Sequence, residues 1–512
     1  MRMLIFHAYL LRGTGSNIYN ASLARALVRL GHEVHLFCQD RGAAELDFVD
    51  AVGRWDGGEL EVEATGEEVR CTAYLPDIGR TLPVYVADTY EDFDAVRLPD
   101  LDDEAIERYV EANASAVREV AERSGAEVAL ANHLVMGPAI VARAVGGRVP
   151  YAVKVHGSAL EYVVRTHRDR FLPWAREGIG PAAAVLVGSR HTGESLWEVM
   201  DDPDLPGKTR LGPPGVDADD FVPRSQAEAR ESVLKLAGRI EHDAGSWGAD
   251  AGAAAALRAL DPERQPIVGY VGKLIVSKGV DLLLAAWPDV VAAVPGARLC
   301  VVGFGTFRDG LEQLAAALAR GDLDGARDVA ARGRELEGGE RGELSYLAAF
   351  LDGLEGSRRD EYVRAASGAF DRVHYTGRLE HGDLPSVLPA FQAQVVPSTF
   401  PEAFGMVAVE AAACGALPLS AAHSGLAEVT RRLEPVVDEA IRPLLSFERG
   451  PGAVEEIARK LVDWLSLDLR ERDRARRALS SEARSRFGWE GVAKGVVAAA
   501  EGRLEDLPVP AG

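Results

Sequence analysis

Two glutamates and two lysines are the residues of this chain whose types and spacing best suit chemistry. In PSTFPEAFGMVAVEAAACG, residues 397–415, Glu402 precedes a helix that Gly405 opens, and Glu410 lies eight positions on, in an alanine-rich stretch with no other charge. A carboxylate at a helix N-terminus is stabilised by the helix dipole. A glutamate buried among alanines needs partners, and a ligand diol or amide would supply them. The same residues also read as an N-terminal cap plus one exposed glutamate. Lys273 and Lys278 stand five apart in GKLIVSKGVD, in a chain where only seven of 57 basic residues are lysine. Two ammonium groups between a strand and a helix can offset the charge of a diphosphate, most of all as it departs. Their plain reading is a pair of solvated loop lysines.

Two glycine loops add weaker signals. Gly13 and Gly15, in LLRGTGSN, fall between a strand and a helix, where free N–H groups and a helix N-terminus favour an anion. A dinucleotide fingerprint needs a third glycine where Ile18 stands. Asp40 nevertheless lies at a suitable distance for a ribose-binding acid, so a nicotinamide-dependent oxidoreductase stays open. Gly303, in GFGT after ARLCVV, repeats the strand–glycine–helix pattern, and serves either a ligand or the close packing of helix on strand.

The elements that must position these residues alternate. Residues 3–9 read as a strand, about 18–30 as a helix capped by Ser16 or Asn17, and 33–38 as a strand, which makes a βαβ unit with a parallel sheet. The segment 51–111 holds 17 acids against five arginines and reads as an elaboration of the first lobe. The α/β rhythm resumes to about residue 215. A Pro/Gly/Asp-rich linker and a partly helical connection fill 216–265. A second α/β lobe spans 266–480 with a helical insertion at about 320–370, and a helix within 481–512 packs back toward the first lobe.

Composition bounds the function. The chain has 512 residues, 47% hydrophobic and 27% charged, which excludes a disordered or disulfide-stapled protein. A net charge of −22 argues against nucleic acid and anionic lipid as partners. Four scattered cysteines without a CxxC pair suit a reducing cytoplasm. The opening MRMLIFHAYLL reads as a buried strand rather than a signal peptide, and no run of 18 apolar residues could span a membrane. The DxD strings Asp92/Asp94, Asp202/Asp204, Asp217/Asp219 and Asp322/Asp324 do not end apolar strands, and no histidine cluster has zinc spacing, so no metal site is expected.

The pattern PS-x-x-x-E-x-F-G-x-x-x-x-E-A-x-x-x-G resembles the signature of retaining nucleotide-sugar glycosyltransferases of family four, which have the two-lobed GT-B fold. The resemblance extends to the early glycine loop, Val155-His156-Gly157, the 272–279 loop, VVGFG, VHYTGRLEHGDL and the closing FGWEGVA helix. It implies two Rossmann-like lobes facing a cleft, the second binding the nucleotide sugar and the first shaping the site of an unidentified acceptor. It also implies that Lys278 grips the donor diphosphate, with Lys273 where the family usually has an arginine. Glu402 would touch the sugar hydroxyls, Glu410 the ribose, and His156 the sugar near the reacting centre. Gly13, Gly15, Gly303, Phe404, Gly405, Met406 and Val407 complete the expected donor site. No cofactor or metal is expected. A nucleotide-sugar-binding protein without turnover is the remaining alternative.

Overall fold

The computed structural model describes residues 1–13, 15–64, 66, 68–86, 92–242 and 250–510. The chain divides into two compact units, Met1–Gly215 with Phe487–Gly512, and Val216–Arg486. Residues 216–265, which the sequence set apart as a connection, fold within the second unit. Thr14 of the early loop, parts of 51–111 and 216–265, and the last two residues lie outside the described set.

The first unit is built on strands β1 (Arg2–Phe6), β2 (Glu33–Phe37), β3 (Ala51–Asp56), β4 (Glu59–Ala64) and β5 (Cys71–Leu75), a separate pair β6 (Thr81–Val84) and β7 (Asp94–Arg97), then β8 (Val128–Asn132), β9 (Tyr151–Lys154), β10 (Ala184–Val187) and β11 (Thr209–Leu211). The main sheet runs β11-β10-β9-β8-β1-β2-β5-β3-β4, parallel except for the β3–β4 hairpin. Strand periodicity assigns the core. Leu4 and Phe6 of β1 face one side, packed under helices Asp103–Ser124, Gly137–Val145 and Arg168–Ile179. Met3 and Ile5 face the other, under Gly15–Arg29 and Trp489–Ala500. The opening residues are thus a strand buried on both faces, as a parallel sheet requires.

The acidic segment is more than an elaboration. β5 lies between β2 and β3, so β3, β4 and β5 extend the main sheet itself. Its acids have a place: β4 is the edge strand, and its exposed Glu59, Glu61 and Glu63 discourage pairing with another chain. Gly57 and Gly58, both at positive φ, make the tight hairpin.

The second unit has six parallel strands, β12 (Ile267–Val271), β13 (Arg298–Val302), β14 (Val373–Gly377), β15 (Ala393–Val396), β16 (Leu417–Ala421) and β17 (Ser446–Phe447), in the order β14-β13-β12-β15-β16-β17. Helix Val280–Ala293 is apolar nearly all round because it is covered on several sides. The 320–370 insertion, with helices Leu323–Arg332, Ser345–Asp352 and Gly356–Ala366, supplies part of that cover. Tyr362 there donates to the Ala285 carbonyl at 2.8 Å, and buried Trp287 donates to Ala369 at 3.1 Å. All four cysteines are buried and free. No helix among the described residues is long and apolar enough to cross a membrane.

Candidate active site

The second sheet reverses its winding between β12 and β15, and open α/β sheets bind ligands at the carboxyl edge of such a switch point. The loop after β12 carries Lys273 and Lys278; the loop after β15 carries Glu402. Gly279 joins them. At φ +64°, its hypothetical Cβ would stand 2.1 Å from the Pro397 carbonyl oxygen, so only glycine permits the approach. Thr399 N–H donates to the Ser277 carbonyl at 2.9 Å and ties the loops again.

Across this junction the Lys278 ammonium pairs with Glu402 Oε1. Ser398 Oγ donates to the same oxygen at 2.6 Å, and the Glu402 N–H donates to Ser424 Oγ at 2.9 Å. His423 Nε2 lies 2.7 Å from the Ser398 carbonyl, which can only accept. The ring is therefore protonated there, which leaves Nδ1 to accept from Ser424 Oγ at 3.1 Å. Burial alone would push the Glu402 carboxyl up. The Lys278 ammonium, with the Ser398 hydroxyl, outweighs it and holds the pKa below the ordinary value.

Glu410 projects from the short helix Met406–Ala413 and is only 3% exposed. Its partner is His381, whose Nε2 lies 2.8 Å from Glu410 Oε1 and whose ring packs 5.3 Å from Phe221. The exposed-glutamate reading is thereby excluded. Gln394 Nε2 donates to the Val407 carbonyl at 2.9 Å and fixes the first turn, where Met406 and Val407 are half-buried and Phe404 is buried. Gly405, at φ +120°, faces Leu426 where a Cβ would come to 2.6 Å. Lys273 is half-buried, its carbonyl held by Tyr270 Oη at 2.8 Å.

Gly303 has a packing role. Its Cβ would fall 1.8 Å from the Gly272 carbonyl oxygen, so glycine lets the loop after β13 press on the lysine loop. Leu274 N–H reaches the Phe304 carbonyl at 2.8 Å in the same clamp.

The first unit gathers a separate cluster at its own switch point, between β1 and β8. His156, just beyond β9, donates from Nε2 to Asn132 Oδ1 at 3.0 Å. Asn132 Nδ2 donates to Asn20 Oδ1 at 2.7 Å, Asn20 Nδ2 to His7 Nδ1 at 3.0 Å, and His7 Nε2 to Asn17 Oδ1 at 3.0 Å. Helix Gly15–Arg29 starts earlier than expected. Ser16 and Asn17 are thus inside its first turn, and Asn17 turns to His7 instead of capping. Gly13 sits in the preceding loop at φ +93°, and the space where a Gly15 Cβ would stand is open. His133 packs 4.9 Å from the His156 ring and 5.6 Å from that of His7, and neither of its ring nitrogens has a hydrogen-bond partner among the described residues. Lys154 is buried against the Tyr19 ring, donates to the Gly212 carbonyl at 2.6 Å, and is pulled down to about 7 by burial.

Burial keeps these imidazoles neutral: His7 falls from 6.5 to about 4, and His133 and His156 fall well below their ordinary value. The unfolded chain takes up these protons near pH 6.5 and the folded unit does not, so stability must fall as pH drops through that value. Between pH 6.5 and 5, His7 alone accounts for about 2 kcal/mol. Urea unfolding at pH 7 and pH 5 checks this, and equal midpoints would refute it.

Sequence reasoning missed His381, His423, Ser424, Asn20 and Asn132. The one available signal was polar residues where strand ends and helix starts meet. Asp40 ties its own loop to the early loop, accepting from Gly42 N–H at 2.9 Å and Leu11 N–H at 3.0 Å. The DxD acids serve turns, caps and surface ion pairs: Asp322 caps Leu323–Arg332, and Asp92 and Asp94 face Arg41 and Arg80. Among the described residues no three His, Cys, Asp or Glu side chains are placed to hold a metal.

The fold is GT-B. It is shared with sucrose-phosphate synthase from Thermosynechococcus elongatus, at a TM-score of 0.58 and 19% identity over 99% of this chain and 100% of that one. It is shared too with Anabaena HepE, solved with UDP and glucose, at 0.57 and 15% over 98% and 99%. Residues 13–220 match the model of Glycosyltransferase Family 4, and residues 353–486 that of Glycosyl transferases group 1. The resemblance to family-four GT-B glycosyltransferases thus holds in both units, with Lys273, Lys278 and Gly303 between the matched stretches. A D-inositol 3-phosphate glycosyltransferase of Segniliparus rotundus is 27% identical over 57% of this chain and 46% of its own length. That of Salinispora tropica is 30% identical over 51% and 42%. The chain therefore aligns with under half the length of these relatives.

Proposed function

We propose that this protein transfers a hexosyl group from a nucleotide-sugar donor to an acceptor, with retention of anomeric configuration and without a metal ion. The observation that carries the proposal is the Lys278–Glu402 pair at the switch point of the second sheet, with the buried Glu410–His381 pair on the helix that follows Glu402. Breaking the bond from an anomeric carbon to a diphosphate creates an oxocarbenium-like centre and a leaving dianion. Lys278, Lys273 and the N-terminus of Val280–Ala293 stabilise the dianion. Glu402, ionised and held by Ser398 and Ser424, orients the sugar hydroxyls. Glu410 accepts from the ribose, and neutral His156 keeps the sugar-contacting role that the resemblance implies. Four free thiols suit a reducing, cytoplasmic setting.

The test is thermal unfolding with UDP, GDP, ADP and NAD, each with EDTA present. UDP is the first choice because HepE, of the same fold, holds it. A ligand at a hundred times its dissociation constant adds about 2.7 kcal/mol of stability. A rise with one nucleoside diphosphate, undiminished by EDTA, is expected. A rise with NAD alone would overturn the reading, and binding without sugar transfer would mark a non-catalytic binder. NMR of the product's anomeric proton reads the stereochemistry.

A further inference from the structure

The 320–370 insertion goes beyond the family-four motifs, its part before residue 353 lies outside the matched stretches, and one residue of that part reaches the lysine loop. A short 3₁₀ turn, Arg334–Glu337, ends in Glu337, whose Oε2 accepts the Val276 N–H at 2.8 Å. Val276 opens the turn Val276–Lys278 that delivers Lys278 to Glu402. The insertion's turn is itself clamped: Gly333 pairs with Gly342, where a Cβ would come within 1.9 Å of the Gly342 carbonyl oxygen, and the Leu336 side chain packs beside Gly310. The backbone of 272–279 is otherwise held from β12, from β13 and the loop after it, from the loop after β15, from the first turn of Val280–Ala293, and by the loop itself. Glu337 also falls between the two stretches that match the family models.

We propose that Glu337 is a positioning residue: the insertion holds the Lys273–Lys278 loop through it and so sets the affinity for the donor's diphosphate. This rests on the nucleotide-sugar reading above. The chemistry has two parts. The hydrogen bond orders the loop, whereas the charge places a carboxylate at a loop meant for an anion. Substitutions separate them. Glu337→Ala removes both; Glu337→Gln keeps an accepting oxygen and removes the charge.

The experiment measures hydrogen exchange of the peptide covering 273–279 in the full chain without ligand, beside UDP affinity by calorimetry. In Glu337→Ala we expect faster exchange of that peptide and about tenfold weaker UDP binding, the loss of one hydrogen bond to a charged group. Glu337→Gln is expected to restore the protection and to bind UDP at least as tightly as the native protein. Unchanged exchange in Glu337→Ala would overturn the proposal whatever UDP does. Faster exchange with native UDP affinity would overturn the link to the donor. Equal losses in Gln and Ala would overturn the hydrogen-bond role. Native protein that binds no nucleoside diphosphate would refute the proposed function, while the exchange comparison still decides whether Glu337 holds the loop.

Discussion

Glu402→Ala is expected to lower turnover by about a hundredfold or more while leaving the fold and nucleoside diphosphate binding intact. The magnitude is that of removing one preorganised polar group from a transition-state site. The fold should survive because the loop is held by backbone groups: the Glu402 carbonyl accepts from Gly425 N–H at 3.0 Å, and its own N–H stays on Ser424. Loss of the carboxylate releases Lys278, so UDP should bind as tightly as before or more so. Steady-state kinetics beside UDP calorimetry separate the two effects. Near-normal turnover would remove Glu402 from the reaction, and a parallel loss of UDP affinity would make it a structural residue.

Lys278→Met should act in the opposite sense, with UDP binding weakened by about tenfold to a hundredfold as a close cation is removed from a dianion. It has a second consequence at Glu402. In the native protein the lysine outweighs burial and keeps the carboxyl below its ordinary value of 4.5. The pair's contribution to stability is therefore complete above that value and is lost only as pH falls below it. Without the ammonium, burial prevails and the Glu402 pKa rises, so the acid limb of the pH–rate profile should move toward neutrality. Lys278→Arg keeps the charge and should keep the native limb. An unshifted profile in Lys278→Met would show that another group holds Glu402 ionised.

The chemistry-bearing residues and the order of elements were legible along the chain, because both depend on local spacing. Short apolar runs marked the strands, glycines at strand ends marked the loops, and the scarcity of lysine singled out Lys273 and Lys278. Glu402 and Glu410 stood out for the same reason, as charges in a setting that should carry none. Their partners did not. Lys278 and Glu402 are 124 residues apart, and His381 and Glu410 are 29 apart. Lys278 and Glu402 meet because β12 lies beside β15, and His381 reaches Glu410 from the loop after β14 at the sheet's edge, neighbour relations that no local pattern encodes. The same holds for the asparagine–histidine network of the first unit, for β5 entering the main sheet between β2 and β3, and for Gly303, whose role depends on a carbonyl from another loop. A local pattern fixes backbone conformation and which side chains share a face. Which buried polar group satisfies which is decided only when strand order brings distant loops to one edge of a sheet, since a buried carboxylate or imidazole must find its partner there or go without.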